Sequence, residues 1–318
     1  MKPYPLLLSP TLKNYLWGGT KLKTDFPFTS DDDKAAEAWV LSCHADGPSI
    51  IQNGELCGQT LADAVALWGD ECLGGTYERF PILIKLIDAC DKLSIQVHPA
   101  DEYAYRVEGE PGKTEMWYVV DCEPGAKLIY GFTKHLSKDE FRTRIEDNTL
   151  TEVCNFVPVK KGDVFFIEAG TLHAIGAGIL IAEVQQNSNT TYRVSDYGRL
   201  GADGKPRALH IEQALDVTLA EPPQLPFGQI GDTVNIPGGM MRPLASCPLF
   251  AADWRHINGT MSFDFDGKFG SLLVLDGKGE LRYDGVALPF AKGSSIFVPA
   301  GVAVEMVSQN AEILCSHA

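Results

Sequence analysis

No apolar run in this 318-residue sequence approaches the roughly 20 residues a helix needs to cross a bilayer. Basic charge is scarce too. Lys and Arg number 27 against 42 Asp and Glu, a net charge of −15. A field of that sign repels nucleic acid and anionic membrane, so neither is expected as a partner. A ligand that is itself an anion would need a local cluster of Lys and Arg. The eight cysteines (43, 57, 72, 90, 122, 154, 247 and 315) form no CxxC, and several lie in apolar context. This argues against a disulfide frame or a zinc ribbon, and for reduced thiols in a cytoplasm. The opening MKPYPLLLSPTLKNYLWGG has only Leu6–Leu8 as an apolar core, too short for a signal peptide. Low-complexity tracts are absent.

The length suits two ordinary domains or one large one, and it can bury a core without metal or disulfide staples. Most of the chain reads as short strands separated by Gly, Pro, Asn and Asp. Residues 81–88, 92–98, 115–121, 162–170, 178–185, 271–277 and 294–301 are examples. Strands this short and frequent predict a mainly β protein, a sandwich or closed barrel. Helices are expected at Leu61–Trp68, at His210–Leu219 and at Ser137–Asp147, where Ser137 and Glu140 are spaced as a capping box.

An internal repeat organises these strands. KGDVFFIEAG (161–170) matches KGSSIFVPAG (292–301) at an offset of 131, and VVDCEPG (119–125) resembles VLDGKG (274–279). Two copies of a Gly–strand–turn unit predict a duplicated β-barrel. The Pro-rich segment Glu221–Gly239 reads as the linker. The expected division is therefore a catalytic unit over 1–235, with a small helical insertion near 135–150, and a C-terminal β unit over 236–318.

Candidate chemistry concentrates in the first copy. In Leu93–His98, period-2 geometry puts Ser94, Gln96 and His98 on one face. Gly162-x5-Glu168-x-Gly170-x2-His173 resembles the second signature of the cupin superfamily, with Glu in place of Pro. The glycines turn the ends of the strand and aim the His into a barrel mouth. Its counterpart in the second copy is Val304, so only one copy keeps the ligand. Glu115 opens the apolar strand EMWYVV. Gln96, His98, Glu115 and His173 together offer two imidazoles, a carboxylate and an amide oxygen. That set suits Zn2+ or another first-row divalent ion with a position open for substrate.

LSIQVHP, GKTEMWYVV, EAGTLHAIG and QQNSNTTYRVSDYGR occur in this order and resemble the type I mannose-6-phosphate isomerases in their short bacterial form. LWGG (16–19), EAWVLSCH (37–44) and FPILIKLID (80–88) agree with the same family. The resemblance covers most of residues 1–220. It implies a duplicated cupin jelly roll in which Gln96, His98, Glu115 and His173 bind one zinc per chain. It also implies aldose–ketose isomerisation of mannose 6-phosphate and fructose 6-phosphate through a cis-enediolate.

By the same resemblance Arg193 is a catalytic or substrate-orienting residue, and Glu183 is an active-site carboxylate. An unpaired carboxylate on an apolar strand would be costly, and Arg193 is its simplest expected partner. The ordinary alternative for Arg193 is a surface ion pair with Asp196. Lys85, Lys113 and Ser94 are expected to form a cationic pocket for a phosphorylated sugar, with Lys113 also a candidate for proton transfer. The competing functions are another metal-dependent cupin enzyme, such as an iron oxygenase, and a non-enzymatic sugar-binding cupin. The chain is expected to be a monomer or homodimer.

Overall fold

The structure, a computed structural model, describes residues 1–200 and 204–318. It is mainly β, with strands arranged in three sheets and a few short helices. Two of the sheets make up the first copy. A six-stranded sheet runs in the order Val164–Ile167, Glu115–Cys122, Ile179–Gln186, Ile82–Ala89, Glu37–Leu41, Thr11–Lys13. A five-stranded sheet runs Tyr192–Ser195, Ile95–Val97, His173–Ala174, Lys127–Phe132, Cys154–Pro158. Ile82–Ala89 and Ile179–Gln186 are buried along their whole lengths. They are central strands, which explains why their sequences run apolar rather than alternating.

The third sheet has nine strands and contains the second copy. Its longest members, Ala251–Phe263, Gly270–Tyr283 and Val304–His317, exceed the segments legible from sequence. Gly277, where the sequence pattern places a strand end, has φ of 85°. Here it sits where the register shifts, and the strand continues beyond it. Leu6–Ser9 pairs with Ser295–Val298, and Ile50–Ile51 pairs with Leu6–Ser9 on its other side. Two N-terminal strands thus join the C-terminal sheet. A core that includes Leu6, Leu41, Ile84, Phe269 and Leu314 is shared by both halves. The division at 235/236 remains our proposal for the organisation of the chain, with these strands crossing it.

The repeat is visible in the backbone. Gly162 and Gly293 have φ of 90° and 88°, and Gly170 and Gly301 have 92° and 73°, all left-handed values that disfavour a side chain. Between them lie the matched strands Val164–Ile167 and Ser295–Val298. His173 then opens a strand in the first copy, as Val304 does in the second. Val304 packs into an apolar cluster with Ile257, Phe263 and Met306. We predict that a zinc-soaked crystal shows no ordered metal inside the 240–318 barrel. An ordered ion there would contradict the loss of function inferred for the second copy.

Helix Leu61–Trp68 carries a complete capping box, with Thr60 and Asp63 bonded reciprocally. In helix Lys138–Glu146 only half of one forms. Ser137 accepts from the Glu140 N–H, but the Glu140 carboxylate turns to Lys134 at 2.8 Å. A further helix, Asp101–Val107, begins three residues after His98 and is not among those expected from sequence. Among the described residues no helix is long and apolar enough to cross a membrane.

Candidate metal centre and cavity

The site lies between the two sheets of the first copy, and strand register assembles it. Across the five-stranded sheet His173, Gln96 and Arg193 are direct register neighbours. Across the six-stranded sheet a second row runs Trp117, Glu183, Lys85, Trp39. The Trp117 and His173 rings meet in a T-shaped pair, with centroids 5.2 Å apart at 82°, and link the rows. Residues far apart in sequence become neighbours because antiparallel pairing places them opposite one another.

His98, Glu115 and His173 offer ligand atoms that all lie within 4.8 Å of one another, and all three residues are buried. His98 Nδ1 lies 3.0 Å from the Thr190 carbonyl and His173 Nδ1 lies 2.8 Å from the Thr171 carbonyl. A carbonyl can only accept, so each Nδ1 carries the proton and each Nε2 presents a lone pair. Those Nε2 atoms stand 3.6 and 3.5 Å from Glu115 oxygens. Carbonyls behind the histidines and lone pairs in front is the arrangement metal sites use to fix imidazole orientation.

The electrostatics agree with a site built for a cation. Burial and the Lys113 ammonium hold His98 well below the usual imidazole range, and burial brings His173 down to about 4. Both rings are therefore neutral at physiological pH, as ligation requires. Burial, with Glu183 nearby, pushes Glu115 up to about 7. Glu115 Oε1 has no hydrogen-bond partner, and the one donor at Oε2 is the Lys113 ammonium, 3.0 Å away. A carboxylate this deep with so few donors is costly. A divalent ion among these atoms would satisfy it. Gln96 Nε2 lies 3.3 Å from His173 Nε2. Exchange of its amide N and O, which have nearly the same shape, would put Oε1 beside the same donors.

Beside the cluster, and joined to it by Gln96 and Lys113, lies a cavity of about 300 Å³, lined in part by Lys85, Ser94, Gln96, Lys113, Glu183 and Arg193. The partner expected for Glu183 is corrected here. Glu183 pairs not with Arg193 but with Lys85, 3.3 Å away, and accepts the Trp117 indole N–H at 2.9 Å. The register explains this: Lys85 is its strand neighbour, whereas Arg193 belongs to the other sheet. On its far side Lys85 Nζ meets Glu37 at 3.9 Å, and Glu37 accepts the Trp39 indole N–H at 2.7 Å. One buried ammonium thus sits between two carboxylates, each steadied by an indole. Burial opposes its charge, but Glu37 and Glu183 outweigh burial and raise the Lys85 pKa. Lys113 Nζ also approaches His98 Nε2, at 3.2 Å.

Arg193 is not in the surface ion pair considered from sequence. Asp196 is taken by Arg199 at 2.6 Å and by Arg207 at two points, 2.5 and 2.7 Å. Arg193 donates through NH1 to the Ala208 carbonyl, and its Nε is buried without a partner. Glu37 and Arg207 also line the cavity and were missed from sequence. Glu37 carried a readable signal, a carboxylate in the apolar strand EAWVL. Arg207 carried none, because it lies in an irregular polar segment.

A β-barrel duplicated from one strand unit, with two imidazoles and a carboxylate buried at the mouth of one copy, defines a metal-binding cupin protein. Comparison with known proteins gives the family. Residues 6–119 match the phosphomannose isomerase type I catalytic domain, and residues 243–318 match the mannose-6-phosphate isomerase cupin domain. The mannose-6-phosphate isomerase ManA of Bacillus subtilis (strain 168) is 39% identical, with both chains covered completely. The mannose-6-phosphate isomerase of Streptococcus mutans is 35% identical over 98% of each chain. A crystal structure of the Bacillus subtilis mannose 6-phosphate isomerase superposes with a TM-score of 0.92 at 35% identity, covering 99% of this chain and 100% of that one. This chain belongs to the type I phosphomannose isomerase family.

Proposed function

We propose that the chain interconverts mannose 6-phosphate and fructose 6-phosphate, with one zinc held by Gln96, His98, Glu115 and His173. One observation carries this reading. The donor-poor Glu115 and two neutral imidazoles adjoin, through Gln96 and Lys113, a cavity whose walls supply lysine, carboxylate and arginine. The bound metal would supply Lewis acidity toward the sugar oxygens where negative charge develops.

The chain's own groups divide the remaining work. Glu183, kept ionised by Lys113 and Lys85 against the cost of burial, is able to accept the C2 proton and return it at C1. Lys113 lines the cavity and is placed to exchange a proton with a sugar oxygen. Lys85, in the six-stranded sheet, fixes Glu183, and Ser94 lines the cavity from the segment that leads into strand Ile95–Val97 of the five-stranded sheet. Arg193, permanently charged and offering five fixed donors, faces Lys85 and Glu183 from that five-stranded sheet and is suited to an enediolate oxygen. An iron oxygenase could use the same two imidazoles and carboxylate. It would have no use for four cationic side chains around the cavity. A reducing cytoplasm and a monomer or homodimer belong to the same proposal; eight scattered cysteines without a CxxC support the first.

Steady-state isomerase kinetics on mannose 6-phosphate test the reading through Arg193. Arg193→Ala is expected to keep its metal and melting temperature and to lose about a hundredfold in turnover, the usual size of a lost oxyanion donor. Turnover within threefold of the parent would remove Arg193 from the chemistry.

A further inference from the structure

Arg193 lies on Tyr192–Ser195, an edge strand of the five-stranded sheet. An edge strand leaves one row of N–H and C=O groups without a strand to pair. At Arg193 both of these groups go to one residue outside the sheet. The Arg193 N–H donates to His210 Nδ1 at 3.0 Å, and the His210 N–H donates to the Arg193 carbonyl at 2.9 Å. The Arg193 guanidinium reaches the same segment, donating through NH1 to the Ala208 carbonyl at 2.9 Å. His210 immediately precedes helix Ile211–Val217, yet its side chain makes no capping bond to that helix. Ala214 and Leu215 anchor the helix, buried in one cluster with Tyr192 and Val194. An imidazole on so fixed a base, turned away from its own helix and onto a neighbouring strand, needs a reason other than capping.

We propose that His210 is a positioning residue, which aims the Arg193 side chain at the reacting end of the sugar phosphate by holding the Arg193 main chain. This deepens the isomerase reading and rests on the role given there to Arg193. A backbone N–H only donates, so Nδ1 presents its lone pair and the ring proton sits on Nε2. Burial and the Arg193 charge hold His210 below the usual imidazole range, which keeps that lone pair available. On its other side Arg193 faces Gln96 across the sheet. Its main chain is thus clamped between the strand of a proposed metal ligand and the His210 ring. The clamp matters because an arginine side chain has much rotamer freedom to lose. Misplacing a catalytic group by about 1 Å costs on the order of a hundredfold in rate.

The test uses the zinc-loaded full chain with His210→Phe, which keeps a ring without an acceptor, and His210→Asn, which keeps an acceptor oxygen. His210→Phe is also combined with Arg193→Ala. Kinetics on mannose 6-phosphate read kcat and KM, with thermal melts on the same preparations. His210→Phe should lower kcat at least about tenfold and move KM less than about threefold. His210→Asn should stay within about threefold of the parent in both. In the Arg193→Ala background His210→Phe should cost less than about threefold more, because its effect passes through Arg193. A crystal structure of His210→Phe should show the guanidinium displaced from the Ala208 carbonyl. A kcat loss of the same size in both backgrounds, or of the same size for Phe and Asn, would overturn the proposal. Parent-like kcat in His210→Phe beside an impaired Arg193→Ala would overturn it and leave the isomerase reading standing. A parent that does not isomerise mannose 6-phosphate would reject that reading, and an unmoved guanidinium in the His210→Phe crystal structure would overturn this proposal independently.

Discussion

A His98→Ala, His173→Ala double variant is expected to purify without stoichiometric metal and to lose at least about a thousandfold in turnover. Two of the three donors that lie within 4.8 Å of one another would be gone, leaving Glu115 to face Lys113 alone. Metal-assisted charge stabilisation is worth several kcal/mol, and each 1.4 kcal/mol is tenfold in rate. Elemental analysis and the coupled isomerase assay, run on one preparation with a thermal melt, make the comparison. Full metal retention at unchanged stoichiometry would place the ion elsewhere.

The second large effect falls on stability. Lys85→Met leaves Glu37 and Glu183 facing each other without the ammonium between them. Lys85 is 4% exposed and Glu183 is 3% exposed, so water is unable to take over the solvation. Removing one partner of a buried ionic group typically costs about 3–5 kcal/mol. Denaturant unfolding should show a loss of that order. Adding Glu37→Gln and Glu183→Gln to Lys85→Met should recover much of it, because no uncompensated charge is then buried. A Lys85→Met protein as stable as the parent would mean that the two carboxylates find other partners.

Much of this site was legible because its residues break local patterns. Lys85 and Glu183 interrupt apolar strands, and His173 follows a turn whose glycines the backbone requires at positive φ. Pattern identifies such residues but not what they touch. The pairing of Glu183 with Lys85 rather than Arg193 depends on strand register, and register is set by contacts between distant segments. The N-terminal strand that crosses to Ser295–Val298 was hidden for the same reason. Helix Asp101–Val107 was concealed by its shortness and by its acidic start directly after Pro99 and Ala100. Those same acidic residues favour a helix N-terminus, so the signal was present and admitted two readings. Arg207 was out of reach of pattern altogether, since a charged residue in a polar loop is ordinarily a solvated one.

The central claim is that a single metal in the first copy is required for isomerisation of mannose 6-phosphate. The most direct measurement is a titration of zinc into the chelator-stripped protein, followed by the coupled assay for fructose 6-phosphate. Activity should vanish on stripping, return in proportion to added metal and level off at one equivalent per chain. Undiminished turnover in the stripped protein, or a plateau at two equivalents, would contradict it.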